Sequence, residues 1–312
     1  MMEELKIWDV EYTKTELGRG SYATVLEARW AGRPCAVKEL HSVLDSELSR
    51  ADFRKECILW SQFRHSCVVK LLGFHFKGLG RDKPVPKEAV PNLVMERMGP
   101  SLRVYLDKHD KNEFTLAQKA RVLLEVAQGL EYLHGHHPPY VHRDLTTNNV
   151  LLTEGHLTAK ITDFGTSRAI SQSGMMTKLT EGHLGTLHFM PPEAFSQPLK
   201  FNEKLDVFSF GNIVLHTVTH EWPEPLNATQ YQSLRHDGHS GLIALDEFQR
   251  REHFIELFSE EEKCIFLGLI KDCLQYKPEW RPSSLDLVEK LRRITAEKTQ
   301  TQQVISVHGL KL

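Results

Sequence analysis

The sequence predicts an α+β protein in two parts, a small β-rich unit carrying one main helix and then a larger, mainly α unit. Three observations carry this reading. Short β-branched and aromatic runs broken by glycine fill the first hundred residues, apolar residues recur at helical spacing from Leu116 onward, and Gly99 with Pro100 interrupts regular structure between the two regimes. At 312 residues the chain is long enough for two modest lobes, each burying its own core. With 40% apolar and 26% charged residues the composition is that of a folded globular protein.

The elements follow in order. Residues 1–11, the acidic, mixed run MMEELKIWDVE, read as an N-terminal extension. They show neither the basic-then-apolar pattern of a signal peptide nor a glycine after the initiator Met, so secretion and myristoylation are not expected. Strand-like runs such as YATVLEARW and PCAVKEL follow, with one helical stretch near 47–63. ERMGPSL is the connector. Beyond it, Leu116, Ala120, Leu123, Val126, Ala127, Leu130 and Leu133 mark one face of a helix over 116–134, and further helical patterns cover 203–219, 260–275 and 283–295. After 295 the apolar period fades, which predicts a flexible tail over 296–312.

Several function classes are disfavoured at this level. No stretch approaches the roughly 20 apolar residues that span a bilayer, and a net charge of −2 gives nucleic acid no electrostatic footprint. The five cysteines, Cys35, Cys57, Cys67, Cys264 and Cys273, are scattered and odd in number, which suits a reducing, cytoplasmic compartment better than a disulfide framework. Of the 17 histidines, the group His134, His136 and His137 and the pair His216 and His220 lack metal-ligand companions and read as loop or surface residues.

The chemistry-bearing segments begin with LGRGSYATV. Gly18 and Gly20 lie between two strand-like runs, and residues without a Cβ let backbone N–H groups approach phosphate oxygens closely, although a plain hairpin turn has the same composition. A dinucleotide fingerprint requires a helix after the glycines, and here a second strand follows. In PCAVKEL, Lys38 stands among apolar neighbours, so its cation needs an anionic partner. Glu56, 18 residues on and within FRKECILW, is the leading candidate, with Phe53, Cys57 and Trp60 marking that helix's buried face; Glu39 and Glu47 compete. The most specific stretch is YVHRDLTTNNVLL followed by AKITDFGTSR, which sets Asp144 five residues before Asn149 and then brings Asp163, Phe164 and Gly165.

These segments, followed in order by GTLHFMPPEA, KLDVFSFG and CLQYKPEWRPS, resemble the eukaryotic protein kinase family over about residues 12–295. The resemblance implies the two-lobed protein kinase fold, with an N-lobe over 12–97 and a C-lobe over 98–295. It implies ATP and Mg2+ as cofactors, with Lys38 on the phosphates paired to Glu56, Asp144 receiving and orienting the acceptor hydroxyl, and Asn149 with Asp163 holding the metal. Leu17, Gly18, Arg19, Gly20 and Ser21 would cover the nucleotide; Val25, Ala36 and Leu151 would sandwich adenine; Met95, Glu96 and Met98 would line its edge. Structural roles fall to His142, Arg143, Phe164, Gly165 and Thr186, to Glu193 paired with Arg281, and to Asp206 accepting from the catalytic-loop backbone. Small-molecule kinases of related fold lack the PPE and distal Arg elements, so protein substrates are implied, with self or an upstream kinase as activator.

Two positions depart from the pattern. Thr146 and Asn148 stand where Ser/Thr kinases carry Lys and tyrosine kinases carry Arg, which removes a cation near the transferred phosphate. Gly185 and Thr186 before the PPE match Ser/Thr kinases, and LLGF with HRDL resembles the tyrosine-kinase-like branch of them. The expected activity is therefore Ser/Thr phosphorylation. Tyrosine or dual specificity, or a pseudokinase scaffold suggested by Thr146 and the bulky Trp60, is the alternative. Between Gly165 and Pro191, the hydroxyls of Ser167, Ser171, Ser173, Thr177 and Thr180 are candidate phosphosites able to pair with Arg143.

Overall fold

The computed structural model describes residues 5–20, 23–40, 53–54, 57–80, 83–86, 89–164, 168–169, 188–195, 202–223 and 259–308. It divides into two compact units. One comprises Met1–Gly99 with Thr162–Thr166, the other Pro100–Ile161 with Ser167–Leu312. The boundary thus falls inside the Gly99–Pro100 break.

The first unit is an antiparallel sheet of β1 (Val10–Arg19), β2 (Ala23–Trp30), β3 (Arg33–Leu40), β4 (Leu71–His75) and β5 (Asn92–Glu96), in the order β1-β2-β3-β5-β4. Register assigns the faces, because residues directly opposite one another share a side. Gly18 faces Val25, Val25 faces Lys38, Lys38 faces Leu93 and Ala36 faces Met95, so these six residues line one side. The other side is a core of Ala28, Cys35, Val37 and Val94, closed by Ile7. Of the helical stretch expected near 47–63, residues 53–54 and 57–60 are helical among those described.

The N-terminal extension is not separate from this unit. Lys6 bridges Phe74 in parallel, with Ile7 N–H donating to the Phe74 carbonyl and Phe74 N–H to the Leu5 carbonyl, both at 2.8 Å. Leu5–Ile7 thereby covers the open edge of β4, where unpaired backbone groups would otherwise face solvent. Gly73 is what permits the approach. A Cβ there would lie 2.4 Å from the Leu5 oxygen and 2.8 Å from the Ile7 side chain. Gly73→Val is expected to lower stability by about 1–3 kcal/mol, read by thermal unfolding. In a chain shortened by residues 1–8 the same substitution should cost much less, since the atoms it strikes are gone; an equal cost in both chains would contradict this account of Gly73.

The second unit is built on helices. α1 (Leu102–Lys108) starts at Ser101, whose hydroxyl accepts from the Val104 N–H. α2 (Leu116–His134) opens with a reciprocal Thr115/Gln118 capping box and buries Ala120, Leu123, Val126, Ala127, Leu130 and Leu133, six of the seven residues that predicted it. Short strands β6 (Tyr140–Val141) and β9 (Arg168–Ala169) pair, as do β7 (Val150–Leu152) and β8 (Ala159–Ile161). A 3₁₀ turn, Pro192–Phe195, precedes α3 (Lys204–Thr219), which is buried all round from Leu205 onward and forms the centre of the unit. α4 (Glu260–Cys273) carries three glutamates in its first turn and a Ser259/Glu262 capping box. It packs on α3, while α5 (Ser284–His308) packs on α2.

The tail expected from 296 is helical through His308, because good helix formers such as Ala296, Glu297, Lys298 and Gln300 extend α5 after its apolar period has faded. Lys119 is 3% exposed and meets Glu262 at 2.8 Å, tying α2 to the cap of α4. No helix among the described residues is long and apolar enough to cross a membrane.

Candidate functional site

In the first unit, Lys38 projects from β3 on the face it shares with Gly18, Val25, Ala36 and Met95. Its Nζ lies 2.7 Å from Oδ1 of Asp163, a residue 125 positions away in the chain. Glu56, the expected partner, lies outside the described residues, as do Ser21, Gly165, Ser167, Ser171, Ser173, Thr177, Thr180 and Thr186. Gly18 and Gly20 are not required by the protein itself. Neither has a left-handed backbone, and a Cβ on Gly18 would meet nothing within 4 Å, while one on Gly20 would only touch the Ala23 oxygen at 3.8 Å. Room of this kind above a strand is what a phosphate approaching backbone N–H groups needs. Leu17 and Arg19 are the last turnward residues of β1, and Gly20 N–H closes the hairpin on the Ala23 carbonyl at 2.8 Å.

Asp163 has a left-handed backbone, φ +62°, a conformation that Asp tolerates better than most residues. Phe164 beside it is 2% exposed, seated against Trp60 at 5.3 Å and Phe63 at 5.2 Å between ring centroids. The Trp60 indole N–H donates to the Val69 carbonyl at 2.8 Å, so the bulk that stood out in the sequence is a satisfied wall behind Phe164. Along the expected adenine edge, Met95 and Met98 are buried, and Glu96 is bound through both its N–H, to the Lys70 carbonyl, and its carboxylate, from the Lys70 N–H. The Arg97 guanidinium donates to the Met98 carbonyl and to Glu27.

In the second unit the loop after β6 is held from below by α3. Asp206, fully buried, accepts from the backbone N–H of His142 (2.7 Å) and of Arg143 (2.9 Å), and its Oδ2 lies 2.9 Å from His134 Nε2. Burial alone would raise the Asp206 carboxyl, but the His134 bond, with the nearby His142 ring and its N–H, outweighs it and holds the group below the ordinary carboxylate range. That grip supports Arg143 at φ +69°, a strained value for a long side chain. The His142 ring accepts from the Asp144 N–H at 3.3 Å. Asn149 closes the loop: its side-chain amide donates to the Asp144 carbonyl (2.7 Å) and carboxylate (3.1 Å), while its N–H donates to the Thr146 carbonyl at 3.0 Å. Thr146 is 3% exposed and its hydroxyl accepts from Asn148 N–H, so an uncharged, inward residue occupies the place of the usual cation. Leu151 sits on β7, half-exposed and bridged to Ser101.

Glu193 and Arg281 meet in a bidentate pair at 2.5 and 2.8 Å. Two buried histidines beneath the loop escaped the sequence reading. His134 and His216, read as loop or surface histidines, have side chains that are almost wholly buried against Asp206 and Thr147 respectively. The available signal was position: His134 ends a strongly amphipathic helix, and His216 lies inside a helix apolar on every side. The donors expected to hold a magnesium ion, an Asp carboxylate and an Asn amide, are oxygen groups of the kind that hard cations take.

A family model for protein tyrosine and serine/threonine kinases matches residues 12–291. A probable serine/threonine-protein kinase of Dictyostelium discoideum is 30% identical over 277 residues, covering 89% of this chain and 24% of the relative. The serine/threonine-protein kinase VIK of Arabidopsis thaliana is 31% identical over 302 residues, covering 92% of this chain and 62% of the relative. The dual specificity protein kinase shkA of Dictyostelium discoideum is 30% identical over 284 residues, covering 90% and 49%. The chain thus spans from about a quarter to three-fifths of these relatives' lengths.

Proposed function

The chain belongs to the protein tyrosine and serine/threonine kinase family, and from that premise we propose that it transfers the γ-phosphate of ATP to serine and threonine hydroxyls of protein substrates. The observation that carries the proposal is the 2.7 Å pairing of Lys38 with Asp163 across 125 residues of sequence. A lysine on a strand and an aspartate on a strained turn gain little stability from a half-exposed ion pair. Both suit a polyphosphate and its counter-ion.

Each residue then has a task. Lys38 binds phosphate oxygens; Gly18 and Gly20, with no Cβ, leave room for them to approach the hairpin backbone; Val25, Ala36, Met95 and Leu151 offer apolar surface to the base, with Glu96 and Met98 along its edge. Asp144, oriented by its own loop through Asn149, accepts the hydrogen bond of the acceptor hydroxyl and takes up its proton as the phosphoryl group is transferred. Asn149 and Asp163 are the residues that would hold magnesium, which when bound neutralises charge on the phosphates. The 3₁₀ turn at Glu193 and the Asp206 grip are structural. Five cysteines, none of them in a disulfide, fit work in the cytoplasm; recovery of the native protein solely in a membrane fraction would contradict that placement.

A second reading, a scaffold that binds nucleotide but transfers slowly or with mixed acceptor choice, is favoured by the buried, uncharged Thr146 and by the similarity to a dual specificity kinase. Phosphopeptide mapping after incubation with ATP, magnesium and a generic protein substrate separates the readings. Phosphoserine and phosphothreonine are expected on the substrate, and on the chain at one or more of Ser167, Ser171, Ser173, Thr177 and Thr180. Label on tyrosine alone, or none, would exclude Ser/Thr transfer.

A further inference from the structure

Thr147 stands three residues after Asp144 and two before Asn149, and it is completely buried. Two helices hold it by different groups. Its carbonyl accepts from the Arg103 N–H, one of the first-turn donors that α1 cannot satisfy internally, at 3.0 Å. Its hydroxyl shares a hydrogen bond of 3.0 Å with Nδ1 of His216 on α3. His216 is 1% exposed, and its Nε2 makes no hydrogen bond among the described residues. The imidazole stands at 87° to the Trp222 ring, 5.1 Å between centroids. The Arg103 guanidinium lies 4.2 Å from the centroid of that same indole and is paired with Asp107 at 2.6 Å. Burial, reinforced by the Arg103 cation and only partly opposed by Asp107, pushes the imidazole down to about 3, so it is neutral at working pH.

A buried imidazole facing a buried hydroxyl is a poor way to fill volume, since an apolar pair would pack there without desolvating either group. What the pair supplies is direction. From Thr147 the loop has no slack: Asn149 N–H is bound to the Thr146 carbonyl, and the Asn149 amide to Asp144. A displacement of Thr147 therefore carries both functional residues with it. The lost cation at Thr146 makes placement of the remaining groups weigh more.

We infer that His216 is a positioning residue for phosphoryl transfer, acting through Thr147 to set where Asn149 and Asp144 stand. The inference rests on the function proposed above for those two residues. It touches neither substrate nor metal directly, and it assigns to α3 a second hold on the loop besides Asp206.

The test uses Thr147→Val, which keeps the shape and removes the hydroxyl, together with His216→Leu, His216→Asn, which retains a polar atom at the Nδ1 position, and the Thr147→Val/His216→Leu double variant. Each is compared with the native chain for kcat, for peptide KM, and for the magnesium dependence of ATP affinity by calorimetry, which needs no turnover. Thr147→Val and His216→Leu are each expected to lower kcat by about 10-fold, a loss that sub-ångström misplacement readily produces. Both should raise the magnesium concentration for half-maximal ATP affinity several-fold and leave peptide KM unchanged. The double variant should be no worse than either single one, and His216→Asn should recover most of the loss. A purely structural pair would instead lower thermal stability while the folded enzyme kept its native kcat and magnesium requirement, and that result overturns the inference. Should His216→Leu fail to fold, Thr147→Val decides alone. A native chain without magnesium-dependent transfer would sink the kinase reading instead, and the calorimetric comparison would still judge the positioning pair.

Discussion

Asp163→Asn will lower phosphate transfer by about 10²–10³-fold or more, the loss seen when one preorganised electrostatic group is taken from an active site. Asparagine is the informative replacement because Asn, like Asp, tolerates the left-handed backbone at this position, φ +62°. The turn is then preserved while the negative charge is lost. Its Oδ1 no longer offers Lys38 an anionic partner at 2.7 Å, and an anionic oxygen proposed to hold magnesium is lost. The side chain is 38% exposed and Lys38 16% exposed, so the ion pair itself adds little to folding. The melting temperature should stay close to the native value while the rate collapses, measured as magnesium-dependent transfer to a generic protein. Equal transfer from the native chain and the variant would leave only the scaffold reading.

Arg281→Met will destabilise the second unit by about 3–5 kcal/mol, because it strands a partner rather than removing a pair. The Arg281 side chain is fully buried and that of Glu193 is 17% exposed. Beyond the two bonds to Glu193, the guanidinium donates to the carbonyls of Gln275 (2.7 Å), Lys204 (3.0 Å) and Tyr276 (3.0 Å), and it lies 4.9 Å from the Phe208 ring centroid. Methionine fills much of the space and satisfies none of these acceptors. A fall in melting temperature of roughly 10 °C is expected by differential scanning calorimetry. Combining it with Glu193→Gln should cost less than the sum, since the stranded carboxylate is neutralised. A change under about 2 °C would show that the pair does not hold the unit together.

Much of this was legible beforehand. The apolar spacing from Ala120 to Leu133 announced α2, and α3 and α4 begin within about a residue of their predicted starts. Lys38, Asp144, Asn149 and Asp163 stood out because each is a reactive residue type set in an apolar or turn-forming run. Less was legible where the partner lies far off. Gly73 read as part of a branch signature, yet its immediate physical reason is the Leu5 oxygen above it. Trp60 looked out of place until Phe164 and the Val69 carbonyl supplied its neighbours. The histidines were weighed as metal ligands or surface residues, and neither alternative contains a neutral imidazole buried against a threonine.

The sequence by itself determined the family and the order of elements, and it named the groups to which the proposed chemistry is assigned. Helical and strand periodicity are set by hydrogen bonds between near neighbours, and a motif's chemistry is carried by its own side chains. Only the tertiary structure decided which buried polar groups answer one another: His134 with Asp206, His216 with Thr147, Lys119 with Glu262. Those pairings arise because desolvation forces each buried polar atom to find a partner wherever the packed chain brings one, and no local pattern encodes that meeting.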